Sequence, residues 1–133
     1  MSFLDRFSPQ LLSTLRIVSA LIFMAHGTAK LLGFPPTEMP QPDPMTLFWF
    51  AGVLELVGGA LLALGLFTRP VAFVLSGEMA FAYFMGHATQ AFFPLQNGGD
   101  AAILYCFVFL YIAAAGPGPW ALDNMLSRKK APA

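Results

Sequence analysis

The sequence predicts an all-α membrane protein, a four-transmembrane-helix bundle with both termini cytoplasmic. Three observations carry that expectation. Hydrophobic residues make up 57% of the 133 positions and charged residues 11%, against about a quarter charged in soluble domains, so there is too little polar surface to coat a globule in water. Four apolar runs each come near the ~20 residues that a helix needs to cross ~30 Å of hydrocarbon. Turn-forming residues punctuate all of them.

The first run, about 11–34, is too long for a cleavable signal peptide. It carries Arg16, His26 and Lys30, and no small-x-small cleavage site follows it. The second, about 46–67, is set off by GFPPTEMPQPDP, whose five prolines exclude a helix there. A tight TRP link leads into the third, about 70–93. PLQNGG precedes the fourth, about 100–116, and GPGPW closes it, with Gly116, Pro117, Gly118 and Pro119 as the stop. The chain 1–133 therefore reads as a single four-helix membrane domain.

Orientation follows from the basic residues. Arg6 precedes the first run, Arg69 lies between the second and third, and Arg128, Lys129 and Lys130 follow the fourth. The other two connections contain no Lys or Arg, so they belong outside and both ends in the cytoplasm of a multi-pass inner-membrane protein. Trp49 and Trp120 fall where interfacial anchors are expected. Zero formal net charge gives no reason to expect a nucleic acid as partner.

Charged residues within the runs are the candidates for chemistry, because ionised groups in hydrocarbon are costly and need partners. Counting the helical rise from the run ends places Arg16 roughly 7 Å and Glu78 roughly 12 Å above the cytoplasmic boundary, with Glu55 near mid-bilayer and His26, Lys30 and His87 in the outer half. Two layers are expected: an inner Arg16 and Glu78 pair, and an outer group in which Lys30 and His26 meet Glu55, with His87 nearby. Arg16, His26 and Lys30 fall within an arc of roughly 80° on one helix. Ala51, Glu55, Gly59 and Ala63 form a small-residue stripe around the acid on the next, suited to close helix packing. On the third helix Glu78 and His87 lie on opposite sides, while Tyr83 and His87 share a face.

A histidine beside a lysine and an acid in a dry pocket can exchange protons near neutral pH, so His26, Lys30 and Glu55 are the candidate catalytic residues. The same charges can also be structural ties that fix helix register. No metal is expected, since no HxxxH or ExxH spacing sets two ligands on one helical face. Cys106 is the single cysteine. It excludes a disulfide or a CxxC redox pair and reads as a packing residue.

Arg16 with HGTAKLLG, GVLELVGGALLALGLFTRP, GEMAFAYFMGH, and NGGDAAILYCFVFLYIAAAGPGPWALD, set in four runs, resemble the DoxX family of small bacterial membrane proteins from about Leu12 to Asp123. The long proline-rich loop departs from the family pattern. The resemblance implies a quinone-facing redox setting, because the family is named after a membrane subunit of a thiosulfate:quinone oxidoreductase and has relatives linked to thiol or oxidative stress. It also implies that Arg16, Glu78, His87, Asn97 and Asp100, like the catalytic three, occupy the family's polar motif positions; with Tyr83, which shares the His87 face, they are the expected ligand-binding residues. No flavin or nicotinamide fingerprint is present, so electrons would come from a partner oxidoreductase. The expected function is thus a quinone-binding membrane component of a quinone-linked redox system, as a membrane subunit of a quinone-dependent oxidoreductase. The rival reading is a non-catalytic scaffold or a small-solute binding or transport protein, with transport requiring a homo-oligomer.

Overall fold

The computed structural model describes residues 2–130, so Met1 and the last three residues of the expected domain lie outside the described residues. Within them all regular structure is helical. In chain order the elements are α1 (Ser2–Asp5), α2 (Ser8–Leu32), α3 (Leu47–Leu64), α4 (Thr68–Ala82) running on into a π-helical turn (Tyr83–His87), α5 (Pro94–Asn97), α6 (Asp100–Ala115) and α7 (Leu122–Lys130). α2 and α3 are long and apolar enough to cross a bilayer, and α6 is apolar but shorter.

Local chemistry explains the ends. Pro9 stands in the first turn of α2, where its missing N–H costs nothing. Gly33 ends that helix with φ 69°, and its N–H and that of Phe34 return to Ala29 O and Thr28 O. Thr46 caps α3 by accepting from Trp49 N. Gly65, at φ 70°, ends α3, and α4 begins three residues later.

The third run departs from expectation at its far end. Instead of continuing to 93, the α-helix stops at Ala82 and widens, so that Ala88 N donates to Tyr83 O at 2.8 Å. A turn and the short α5 follow, and His87 Nδ1 meets Asn97 O at 3.0 Å. The widened turn lets Tyr83 and His87 both face that returning segment.

The four longer helices alternate in direction. α2 packs along α3, α4 along α6, and α3 against α4, while α2 touches α6 only slightly. One end of the bundle holds α1, α7 and both described chain ends (the terminal end); the other holds the proline-rich loop. The core is apolar, with Phe23, Leu62, Leu75, Phe109 and Ile112 all at most 1% exposed. Many large apolar side chains nonetheless point outward, among them Val18, Ile22, Val57, Phe73, Leu104 and Phe107. Such a surface suits hydrocarbon rather than water.

Glycines bring α2 and α3 into backbone contact. A Cβ on Gly27 would stand 2.5 Å from Leu56 N and 2.8 Å from Gly52 O. Gly59 faces Met24, and Gly58 faces Leu75 of α4. The close-packed stripe therefore runs through Gly52, Glu55 and Gly59 rather than Ala51, Glu55, Gly59 and Ala63; Ala51 and Ala63 are only half-buried.

Candidate functional site

Lys30 and Glu55 form an ion pair, Nζ to Oε1 2.6 Å. Side chains tilt toward the N-terminus of their own helix, so on antiparallel α2 and α3 the two reach toward each other. Glu55 is 3% exposed, whereas 29% of the Lys30 side chain remains accessible. Glu55 Oε2 is buried without a hydrogen-bond partner, and so are both carboxylate oxygens of Glu78. Glu78 lies within electrostatic reach of Glu55 and Lys30. Helix geometry explains this: Glu55 is nine residues before the end of α3 and Glu78 ten after the start of α4, so both stand roughly 14–15 Å from the terminal end.

The expected pair of Arg16 with Glu78 is not formed. Arg16 is fully buried, but its guanidinium serves backbone carbonyls. Nε donates to Pro117 O at 2.9 Å, Nη1 to Leu62 O and Ala63 O at 2.7 and 2.8 Å, and Nη2 to Trp120 O. Leu62 and Ala63 belong to the last turn of α3, where carbonyls lack helical donors and the macrodipole favours a cation. Four acceptors spread in space suit the guanidinium fork, and they hold Arg16 at the helix ends, about one layer away from Glu78.

Two further residues complete that end. Arg69 Nη1 donates to Ala113 O and Ala114 O, closing the C-terminus of α6. Asp123 accepts from Phe67 N and Thr68 N at 2.8 and 2.9 Å, capping the N-terminus of α4. Burial opposes the Asp123 charge, but these hydrogen bonds and the Arg16 charge outweigh it and hold its carboxyl below the usual carboxylate range. From the sequence Arg69 served only to set orientation, and Asp123 had no role. Asp123 carried a signal, an acid just beyond a Gly- and Pro-rich stop, but its helix partner lies 55 positions away.

The histidines do not join the ion pair. His26 is exposed; its Nδ1 meets Ile22 O of its own helix at 3.2 Å, and its ring lies edge-on to Tyr105, centroids 6.0 Å apart. His87 belongs to a knot at the proline-loop end. There Asn97 Nδ2 donates to Tyr83 OH at 3.3 Å, and Asn97 Oδ1 accepts from Gly99 N at 2.8 Å. Asp100 opens α6 and is exposed. Of the expected ligand-binding positions, the structure thus brings Tyr83, His87 and Asn97 together, moves Glu78 to Lys30 and Glu55, and leaves Asp100 apart.

Tyr105, absent from the sequence-based site, lines a groove of about 310 Å³ between α2 and α6, with Leu15, Val18, Ser19, Ile22, Leu104 and Val108 among its walls. Leu15 also lines a hollow of about 700 Å³ at the terminal end. The two hollows share Leu15 along the sparsely packed seam. Tyr105 and Tyr111 are the two hydroxyl-bearing residues of α6, the signal by which the sequence could have pointed to them.

The DoxX family model matches residues 11–88, from α2 through the π turn. The chain belongs to the DoxX family. Arg16, His26, Lys30, Glu55, Glu78, Tyr83 and His87 fall inside the matched DoxX segment; Asn97, Asp100, Tyr105 and Asp123 lie beyond it. Among relatives, an uncharacterized protein of Haemophilus influenzae is 48% identical over 97% of this chain and 100% of its own length. The inner membrane protein YphA of Escherichia coli is 32% identical, over 87% of this chain and 90% of its own. The uncharacterized membrane protein Rv3486 of Mycobacterium tuberculosis is 26% identical, over 86% and 80%. No solved structure matches. This is a DoxX-family membrane protein, and lipid is its surroundings.

Proposed function

We propose that this DoxX-family protein is a four-span inner-membrane protein, both termini cytoplasmic, that binds a quinone-like ligand as the membrane component of a quinone-linked redox system. The observation that carries the ligand reading is the α2/α6 seam: an apolar groove with Tyr105 in its wall, and the His26 ring edge-on to that tyrosine just outside the groove. A quinone needs that combination, hydrogen-bonding groups for its two carbonyl oxygens and an apolar channel for its tail. Bound there, it would supply two-electron, two-proton redox chemistry. His26 and Tyr105 would orient the headgroup, each through a side chain able to hydrogen-bond a quinone oxygen. Electrons would come from a partner oxidoreductase, since this chain has no paired cysteines.

The four-span reading is supported by length and charge. With its π turn the third span, Thr68–His87, reaches the ~20 residues a crossing needs. α6, at 16 residues, spans roughly 24 Å and fits with its flanks in the interface. The connections at the proline-loop end, 33–46 and 88–99, contain no Lys or Arg, while Arg69 and Arg128–Lys130 gather at the other. Reporters fused after Ala133, outside the described residues, and within 65–67 are expected to read cytoplasm, and one within 36–44 the exterior. An externally active C-terminal reporter would sink this topology.

Ligand binding is tested by native purification with lipids, then mass spectrometry for quinone and titration with a short-tailed quinone. The wild type is expected to carry or bind about one quinone per molecule. His26→Phe and Tyr105→Phe should stay monodisperse, because apolar replacements are cheap in lipid, yet bind at least tenfold more weakly. Absence of quinone binding by the wild type, or unchanged binding in both variants, would remove the quinone reading.

A further inference from the structure

We propose that Glu55 of α3, paired with Lys30, and Glu78 of α4, set at the same depth of the bundle, form a buried binding site for one monovalent positive charge, a proton or an alkali cation. The argument begins with a count of partners. Three carboxylate oxygens, Glu55 Oε2 and both of Glu78, are buried with nothing donating to them. Glu55 is itself 3% exposed and spends only Oε1 on Lys30. One ammonium against two carboxylates leaves the layer a full negative charge short of neutrality. Inside a bilayer such a charge is expensive, and a buried carboxylate that lacks a donor adds its own desolvation cost.

No neighbouring element supplies the missing charge. α3 has no titratable residue besides Glu55. On α2, Arg16 is committed to four carbonyls at the terminal end, and His26 turns to Ile22 O and Tyr105. On α4 itself, Arg69 closes α6. From α6, Cys106 Sγ meets Ser76 Oγ at 3.5 Å, Tyr105 packs with Phe23 and Phe109, and Asp100 is exposed. In the π turn, Tyr83 and His87 belong to the Asn97 knot. A proton or a desolvated alkali cation placed among the three free oxygens would satisfy both deficits together, and Lys30, partly accessible, keeps the layer in contact with its surroundings. The site stands independently of the quinone reading, since it needs no ligand in the α2/α6 groove.

The test is thermal unfolding of the full-length protein in lipid nanodiscs, with two arms. In one, pH is varied from 6 to 9 in choline chloride; in the other, sodium or potassium chloride replaces choline at fixed pH. Withdrawing the bound charge is expected to lower the wild-type midpoint, with a linkage slope of one charge per molecule. Dependence on pH alone identifies a proton; dependence on sodium or potassium at fixed pH identifies an alkali cation. Glu78→Gln, neutral and able to donate an amide N–H, should flatten both arms. Lys30→Met should bind a second charge and steepen the slope to about two. A flat wild type, or Glu78→Gln with the wild-type dependence, would overturn the proposal. Should Glu78→Gln fail to fold, infrared spectra of the wild type decide. A carboxylic C=O band that titrates, or a carboxylate band that shifts on adding sodium or potassium, supports the site, and neither overturns it.

Discussion

Arg16→Met is expected to release the terminal end of the bundle. The guanidinium is buried, and its hydrogen bonds join the last turn of α3 to Pro117 and Trp120 in the segment after α6. Ser13 Oγ and Trp120 N add a weaker tie at 3.1 Å. Methionine matches the bulk but donates nothing, so Ala63 O and Trp120 O lose the side chain that serves them, and Leu62 O and Pro117 O are left with Gly65 N and Ser13 Oγ. Hydrogen bonds to charged groups contribute about 1.5–3 kcal/mol each and are not additive, so a total loss of about 3–5 kcal/mol is expected. Arg16→Lys should recover less than half, because one ammonium cannot reach acceptors set on both α3 and the 117–120 segment. Thermal unfolding in detergent reads the loss, and limited proteolysis after residue 116 should speed up in parallel. Combined with Glu78→Gln, the Arg16→Met effect should be additive within about 0.5 kcal/mol, since the two residues share no partner. A coupling well above that, or wild-type stability in Arg16→Met, would contradict this account.

The sequence made the helices legible and the helix ends only in part. Gly33, Gly65 and Gly116 are local stop signals, and the apolar runs they end match α2, α3 and α6 closely. The third run carries Gly86 between Tyr83 and Pro94, but that glycine sits inside the π turn instead of ending the helix, and the turn meets Asn97 through contacts that no local pattern records. The contact of Lys30 with Glu55 was legible because opposite charges in hydrocarbon seek each other at matching depth. The same rule misassigned Arg16, since it treats carboxylates as the only acceptors. At a helix end, unpaired carbonyls compete with them, and any residue type can supply those. Glu78 then falls to the layer its rise along α4 dictates, beside Glu55. Tyr105 was hidden for a different reason: what matters there is a gap between α2 and α6, a property of packing and not of any one residue.

Lys30→Met should be the other change of large effect, and it returns to the one ion pair among the described residues. Glu55 has its Oε1 on Lys30, its Oε2 without a donor, and Gly52 and Gly59 holding α2 against it on either side. Removing one member of a buried pair costs about 3–5 kcal/mol in soluble proteins, and a loss approaching that is expected here by thermal unfolding in nanodiscs. Adding Glu55→Gln to Lys30→Met should restore most of it, because a neutral amide beside an apolar methionine removes the charge that Lys30 had balanced and leaves Glu78 with the single bound positive charge proposed for this layer. His26→Phe supplies the contrast: its side chain is exposed and bonds only its own helix, so its midpoint should stay within about 0.5 kcal/mol of wild type. If the double variant is as unstable as the sum of the singles, Lys30 and Glu55 are not each other's partners. Recovery in the double, alongside an undisturbed His26→Phe, would assign the fold's dependence on charge to the α2/α3 contact and leave His26 free for the ligand.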